Sequence, residues 1–197
     1  MGMAFLPATV TAHPMSDEEF AEFCSEHPDL FFEMTAEGDI IVMAPAYTIT
    51  GVQNAHIGCQ LGMWEELDGR GLACDSSAGF VLPNGARRSP DASWTLKNRV
   101  EQMDPVYQKT YWRLCPDFVI ELKSSAIRHR TLHEKMIEYL ANGARLGWII
   151  DPDTRTVSIY RPGREVEILT GIESIDGEGP VAGFVLDLTS VWDPLAG

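Results

Sequence analysis

Two acidic residues and a lysine hold most of the chemical information in this 197-residue chain. Glu121 and Lys123 close the run Pro116-Asp117-Phe118-Val119-Ile120-Glu121-Leu122-Lys123, and a second Pro-Asp pair, Pro90-Asp91, stands upstream. The apolar run reads as a central strand covered on both faces. Side chains alternate along a strand, so Glu121 and Lys123 point one way and Ile120 and Leu122 the other. Charges at the end of a core strand lose hydration. That is tolerated cheaply only in an ion pair, at an exposed strand end or around a metal. For an isolated Glu-x-Lys the solvated ion pair is the commoner outcome. Two features favour chemistry here. Asp91 is expected on the adjacent hairpin strand, which brings a second carboxylate near Glu121, and Ser124-Ser125 opens the polar strand end towards a helix start. Two carboxylates beside one ammonium suit hydrolytic phosphoryl transfer. Carboxylate oxygens hold Mg²⁺ or Mn²⁺, the ion polarises the phosphate and acidifies a water, and the lysine orients that water or stabilises growing charge.

Other side chains invite a chemical reading and a plainer one. Asp117 shares a face with Glu121, but at about 3.3 Å per strand residue it lies roughly 13 Å away. A capping or turn role is expected for it. His56 forms a polar helix face with Gln53 and Gln60, and a surface histidine is the default expectation. Arg87-Arg88 and Arg128-His129-Arg130 flank the proposed centre, either as a phosphate-contacting strip or as solvated loops. His129 and His133 have i, i+4 spacing but lack the glutamate of an HExxH site, so zinc is not expected. The chain contains no glycine-rich phosphate loop and no GxSxG elbow.

These residues need elements to hold them. Ser16 with Glu19 three residues later predicts a capped helix over 16–27. Phe31–Met34 and Ile40–Met43 read as strands joined at Glu37-Gly38, with Pro45 as the stop. Val52, Ile57, Leu61, Trp64 and Leu67 recur at helical spacing, and Gly69 ends that helix. Ala78–Leu82 and Arg87–Trp94 flank Pro83-Asn84-Gly85, a hairpin around an Asn-Gly turn. Residues 97–114 read as polar and irregular. Residues 129–142 read as a helix with Leu132, Met136, Tyr139 and Leu140 inward and Asn142-Gly143 at its end. Gly147–Ile150 is a buried strand, Thr156–Tyr160 and Glu165–Leu169 a hairpin, and Phe184–Leu188 a last strand. With no repeat and no long linker, one α/β domain is expected, its mixed sheet centred on 117–123.

At 45% hydrophobic residues the chain can build a core without disulfides. Cys24, Cys59, Cys74 and Cys115 form no CxxC pair and are expected as reduced, mostly buried thiols. No Lys or Arg precedes the mildly apolar Met1–Val10 stretch, which argues against a secretory signal. No run approaches about eighteen apolar residues, so a cytoplasmic protein with no membrane partner is expected. Fifteen Lys and Arg against 29 Asp and Glu leave a net charge of −14, a field that repels nucleic acid at long range. That charge favours two rivals to a nuclease: a non-catalytic binding or regulatory module, and a metal-dependent hydrolase of a small phosphorylated substrate. The combination of Asp91, Glu121 and Lys123 disfavours the first.

Several segments occur together in a telling order. Arg88-Ser89-Pro90-Asp91-Ala92-Ser93 is followed by Pro116–Ser124, then Glu134-Lys135-Met136-Ile137-Glu138-Tyr139, Gly143 and Gly147-Trp148-Ile149-Ile150-Asp151-Pro152. Phe32-Glu33-Met34, Glu37-Gly38, Met43-Ala44-Pro45 and His56 precede them. The set resembles the Uma-two family of restriction-endonuclease-like proteins, within the PD-(D/E)XK nuclease superfamily, over about residues 30–190. The resemblance implies a restriction-endonuclease-like α/β core, a mixed β-sheet flanked by helices. It assigns residues 30–197 to one nuclease domain behind an N-terminal helical extension, 1–29. It further implies Asp91 as the first metal ligand, Glu121 as the second and Lys123 as the catalytic lysine. Lys135 also matches a family lysine, one that could take the role in relatives with an apolar residue at the position of Lys123; this sequence has both, which leaves open which one acts. It lies one turn from Tyr139 on the same helix face. Glu33 fits the place of a helper carboxylate, with a solvated strand residue as the alternative. The expected activity is hydrolysis of DNA phosphodiester bonds with Mg²⁺ or Mn²⁺, by a homodimer if both strands are cut.

Overall fold

The computed structural model describes residues 8–10, 15–43, 46–124 and 129–196. Its elements in chain order begin with β1 (Ala8–Val10), α1 (Asp17–Glu26), β2 (Phe31–Met34), β3 (Ile40–Met43) and α2 (Thr48–Asp68). Next come β4 (Gly71–Asp75), β5 (Phe80–Val81), β6 (Arg87–Arg88), β7 (Ala92–Leu96), α3 (Lys97–Glu101) and α4 (Pro105–Gln108). The second half holds β8 (Phe118–Leu122), α5 (His129–Ala141), β9 (Leu146–Asp151), β10 (Thr156–Tyr160) and β11 (Glu167–Thr170). β12 (Ser174–Asp176), β13 (Val185–Asp187) and α6 (Thr189–Trp192) complete it.

The apolar run at β8 organises the molecule, and every residue of it is buried. The main sheet has the order β11-β10-β9-β8-β7-β4. It is mixed: β8 and β9 run parallel, and β7 pairs antiparallel with β8. A parallel neighbour requires a crossover, which α5 supplies. Alternation divides the strand between two cores. Phe118, Ile120 and Leu122 pack with Ile57 and Leu61 of α2 and with Phe184 and Leu186 near the C-terminus. Val119 packs with Leu132, Met136 and Tyr139 of α5. Glu121, two residues beyond Val119, therefore looks towards α5.

The expected 78–94 hairpin is shorter than the sequence suggests. Only β5 and β6 pair across the Asn-Gly turn, and they belong to a second sheet, β1-β3-β2-β6-β5. Pro90 offers no N–H to extend that ladder. Past it the chain enters the main sheet as β7, between β4 and β8. β4 itself was not anticipated, because the glycine-flanked segment after Asp68 lacks strand alternation. Residues 97–114, expected to be irregular, contain two short helices, and Asp104 caps the second with Pro105 in its first turn.

The capping box of α1 forms as expected: Ser16 N–H donates to Glu19 Oε2 at 2.7 Å and Glu19 N–H to Ser16 Oγ at 3.2 Å. On α2 the inward stripe is Thr50, Gln53, Ile57 and Leu61, while Val52 and Leu67, expected inward, are exposed. The stripe accepts Gln53 because its amide donates to the Val191 carbonyl at 2.8 Å. The four cysteines are free thiols; Cys115 is buried, Cys24 and Cys74 are partly covered and Cys59 is exposed, so "mostly buried" overstates their cover. Among the described residues no helix is long and apolar enough to cross a membrane. The readings of Met1–Pro7, of the Pro45 stop and of Arg128 lie outside the described residues.

Candidate active site

Asp91 stands at the hand-over between the two sheets, one residue before β7. Register then does the positioning: Ala92 pairs with Ile120, so Asp91 lies beside the Glu121 end of β8. The Leu122 N–H donates to Asp91 Oδ2 at 2.7 Å, and Asn54 Nδ2 of α2 donates to Oδ1 at 3.0 Å. Each carboxylate oxygen thus has one recorded donor from a different element, which fixes the plane of the group. Burial lifts the Asp91 carboxyl above its ordinary range, against the Leu122 N–H, Lys135 and Asn54, which favour the charged form.

Glu121 is buried and faces α5. Its Oε1 lies 2.8 Å from Lys135 Nζ and accepts from the Tyr139 hydroxyl at 3.0 Å. Lys135 and Tyr139 are four residues apart on α5, and that spacing brings both to one carboxylate. Burial pushes Glu121 up to about 7; the Lys135 ammonium works against the shift, and Asp91 and Glu33 add to it.

The second sheet contributes Glu33 from β2. Its Oε1 lies 2.7 Å from Lys135 Nζ and accepts the Ser89 N–H at 2.9 Å, while Arg88 reaches Oε2 at 3.3 Å. Burial alone would raise the Glu33 carboxyl; Lys135 and Arg88 outweigh it and hold the group below its usual value. Lys135 therefore bridges two buried carboxylates. Burial would strip its proton, but Glu121 and Glu33 together raise it above an ordinary lysine.

Lys123 goes elsewhere. It sits just past the end of β8, where its N–H donates to the Ile150 carbonyl at 2.8 Å. Its ammonium lies 3.3 Å from Asp151 and 3.4 Å from Asp153. Sharing a strand face with Glu121 does not give it the same partners. The structure thus brings Asp91, Glu121, Lys135 and Glu33 to one place and leaves Lys123 with two other carboxylates beside β9.

The remaining candidates have structural partners. Asp117 accepts the Leu96 N–H at 2.9 Å and pairs with Arg99 at 2.8 Å. His133 Nδ1 meets the Tyr160 hydroxyl at 2.9 Å. Arg87 and Arg88, read as a phosphate strip or a solvated loop, are buried. Arg88 pairs with Glu33 and Glu138, and Arg87 stacks over the Phe20 ring at 4.7 Å. Gln60 clasps Asp187 through its backbone, and His56 is half-buried on α2. Asn54 went unnoticed in the sequence; its position one turn before Ile57 on an amphipathic helix was the available signal.

Among the described residues no group of three or more His, Cys, Asp or Glu side chains is arranged to hold a metal. The centre offers a smaller set of hard donors. Asp91 and Glu121 supply carboxylates, and the buried Oδ1 of Asn54, whose Nδ2 donates to Asp91, has no hydrogen-bond partner among the described residues. Such a set fits Mg²⁺ or Mn²⁺, since Mg²⁺ usually keeps several waters and takes one or two carboxylates plus substrate phosphates.

A model of the Uma2 family, described as "Putative restriction endonuclease", matches residues 17–189. Among solved structures, one described as "a putative nuclease belonging to DUF820 from Anabaena variabilis ATCC 29413" superposes with a TM-score of 0.76. It shares 20% identity, over 91% of this chain and 98% of that one. The mixed sheet flanked by helices is common to both. No curated protein matches the chain.

Proposed function

The chain belongs to the Uma2 family, and from that premise we propose that it is a metal-dependent endonuclease hydrolysing DNA phosphodiester bonds. One observation supports the reading above the others: Lys135 Nζ stands 2.7 Å from Glu33 and 2.8 Å from Glu121, beside the tethered Asp91. Asp91 and Glu121 would hold Mg²⁺ or Mn²⁺. When bound, such an ion neutralises phosphate charge and makes a water more acidic. The chain's own residues do the rest. Lys135 stabilises the charge that gathers on the phosphate oxygens. Glu33 and the Ser89 carbonyl, 3.5 Å from Lys135 Nζ, aim its ammonium, and the Tyr139 hydroxyl holds Glu121. The oxygen of a water adds to phosphorus, one P–O ester bond breaks, and the leaving oxygen gains a proton. An alcohol and a phosphate monoester result. Lys123 takes no part in the chemistry. Cutting both strands would take two centres, hence a homodimer, and the free thiols suit a reducing, cytoplasmic setting.

The test is nicking of supercoiled plasmid with Mn²⁺, with Mg²⁺ and with EDTA. Wild type should nick only with metal, Asp91→Asn and Glu121→Gln should not, and Lys135→Ala should be slower by about 10²–10³-fold. A wild type that leaves plasmid and single-stranded DNA intact with either ion overturns the proposal. The net charge of −14 favours a second reading, hydrolysis of a small phosphorylated substrate. Release of phosphate from mononucleotides, with plasmid untouched, would select it.

A further inference from the structure

Asn54 stands apart from the other polar residues of α2. Gln53 and Gln60 tie the helix to the C-terminal segment through Val191 and Asp187, and Ile57 and Leu61 bury it against the main sheet. The helix therefore has anchors enough without Asn54. The amide of Asn54 instead meets Asp91 Oδ1 through Nδ2 at 3.0 Å. An ionised carboxylate only accepts, so the amide must present its nitrogen, which turns its oxygen away from Asp91. That oxygen is buried and finds no hydrogen-bond partner among the described residues. Buried acceptors are rarely left so. Of the few such atoms among the described residues, which include the Ser93 and Thr95 hydroxyls, this one belongs to the side chain that fixes a proposed metal ligand.

We propose that Asn54 is a positioning residue of the centre. Its amide nitrogen sets the Asp91 carboxylate, and its amide oxygen accepts a hydrogen bond from a water of the hydrated divalent cation. The proposal rests on the metal reading above and adds to it a residue from a different element of the fold. It accounts for two facts together, the Nδ2 contact and the unpartnered Oδ1, which a purely structural role does not link. Groups that orient metal ligands typically change metal affinity by about 10–100-fold when removed.

Calorimetric titration of the metal-free full-length chain with MnCl₂ tests it, using wild type, Asn54→Ala, Asn54→Asp and Asp91→Asn. Thermal melting in EDTA serves as the fold control. Asn54→Ala should bind Mn²⁺ about 10–100-fold more weakly than wild type while melting close to it. Asn54→Asp keeps an oxygen at the position but loses the N–H that sets Asp91, so it should bind more tightly than Asn54→Ala. If Asn54→Ala binds like wild type while Asp91→Asn does not bind, Asn54 is merely structural and this proposal falls alone. If Asn54→Asp is as weak as Asn54→Ala, the role assigned to the oxygen is overturned. A wild type that takes up no Mn²⁺ overturns the metal reading itself, and this proposal with it.

Discussion

Replacing Lys135 by alanine separates the two lysines without any assumption about substrate. The substitution leaves Glu33 and Glu121, both buried, without the ammonium that bridges them at 2.7 and 2.8 Å. Removing one partner of a buried ion pair costs about 3–5 kcal/mol. A domain of this size loses about 2–4 °C of melting temperature per kcal/mol, so a fall of roughly 6–20 °C is expected. Lys123→Ala breaks pairs with Asp151 and with the well-exposed Asp153, and such pairs are worth about 0–1 kcal/mol. Differential scanning fluorimetry in EDTA reads both. The deficit of Lys135→Ala should also depend on pH with a definite sign. Glu121 is pushed up to about 7 even with the ammonium present, and it rises further without it. A carboxyl whose folded-state pKa exceeds its unfolded one favours the fold when protonated. Below about pH 7 Glu121 is protonated in both proteins, so its share of the deficit grows as pH rises above about 7 and is lost on acidification. Adding Glu121→Gln to Lys135→Ala should recover part of the loss, because one of the stranded charges is gone. A Lys135→Ala protein that melts with wild type at pH 8, or Lys123→Ala as the more damaged of the two, would refute this account of the centre.

Three further outcomes are expected. Mn²⁺ at a hundred times its Kd should stabilise wild type by about 2.7 kcal/mol, roughly 5–10 °C, and Asp91→Asn should abolish that shift. In EDTA, Asp91→Asn should melt no lower than wild type, since burial penalises the native carboxylate and the Asn54 amide can turn its oxygen to the new donor; a large loss would count against this. Alkylation of the folded protein at pH 8 should begin at exposed Cys59. Cys74 and Cys115, whose thiols burial raises to about 11 and about 12, should react only on unfolding; peptide mass mapping over time decides it.

Much of the fold was legible because its signals are local. The Ser16–Glu19 box, the Asn84-Gly85 turn, the apolar run of β8 and the stripe on α5 each declare themselves within a few residues. The errors lie where long-range pairing overrules local pattern. Arg87–Trp94 reads as one strand, yet Pro90 divides it between two sheets, and Ala92–Leu96 is claimed by β8. Arg87 and Arg88 look like a solvent-facing basic pair; Glu33, 55 residues before Arg88, and Glu138, 50 residues after it, bury the second. The arrangement of the candidate site was legible to the same extent. Asp91 and Glu121 could be paired on paper because they flank neighbouring strands. The partnership of Glu121 with Lys135 depends on where α5 crosses the sheet, which no spacing within β8 reveals. Face alternation favoured Lys123, but alternation says nothing about which neighbour a long, flexible side chain chooses beyond a strand end.

The bridging position of Lys135 has a consequence for the order in which the protein comes into being. Chains are made from the N-terminus and tend to fold as they emerge. Glu33, Asp91 and Glu121 all precede α5. A growing chain thus collects its acidic groups before it owns the cation that lies between Glu33 and Glu121. Until α5 docks, Glu33 lacks one of its two cationic partners and Glu121 has no ammonium. Arrival of a single helix places an ammonium between Glu33 and Glu121 and supplies the group proposed to act on phosphate. For an enzyme proposed to cut DNA, this ties competence to completion: a truncated or half-made chain would have the proposed ligands without the proposed catalytic lysine.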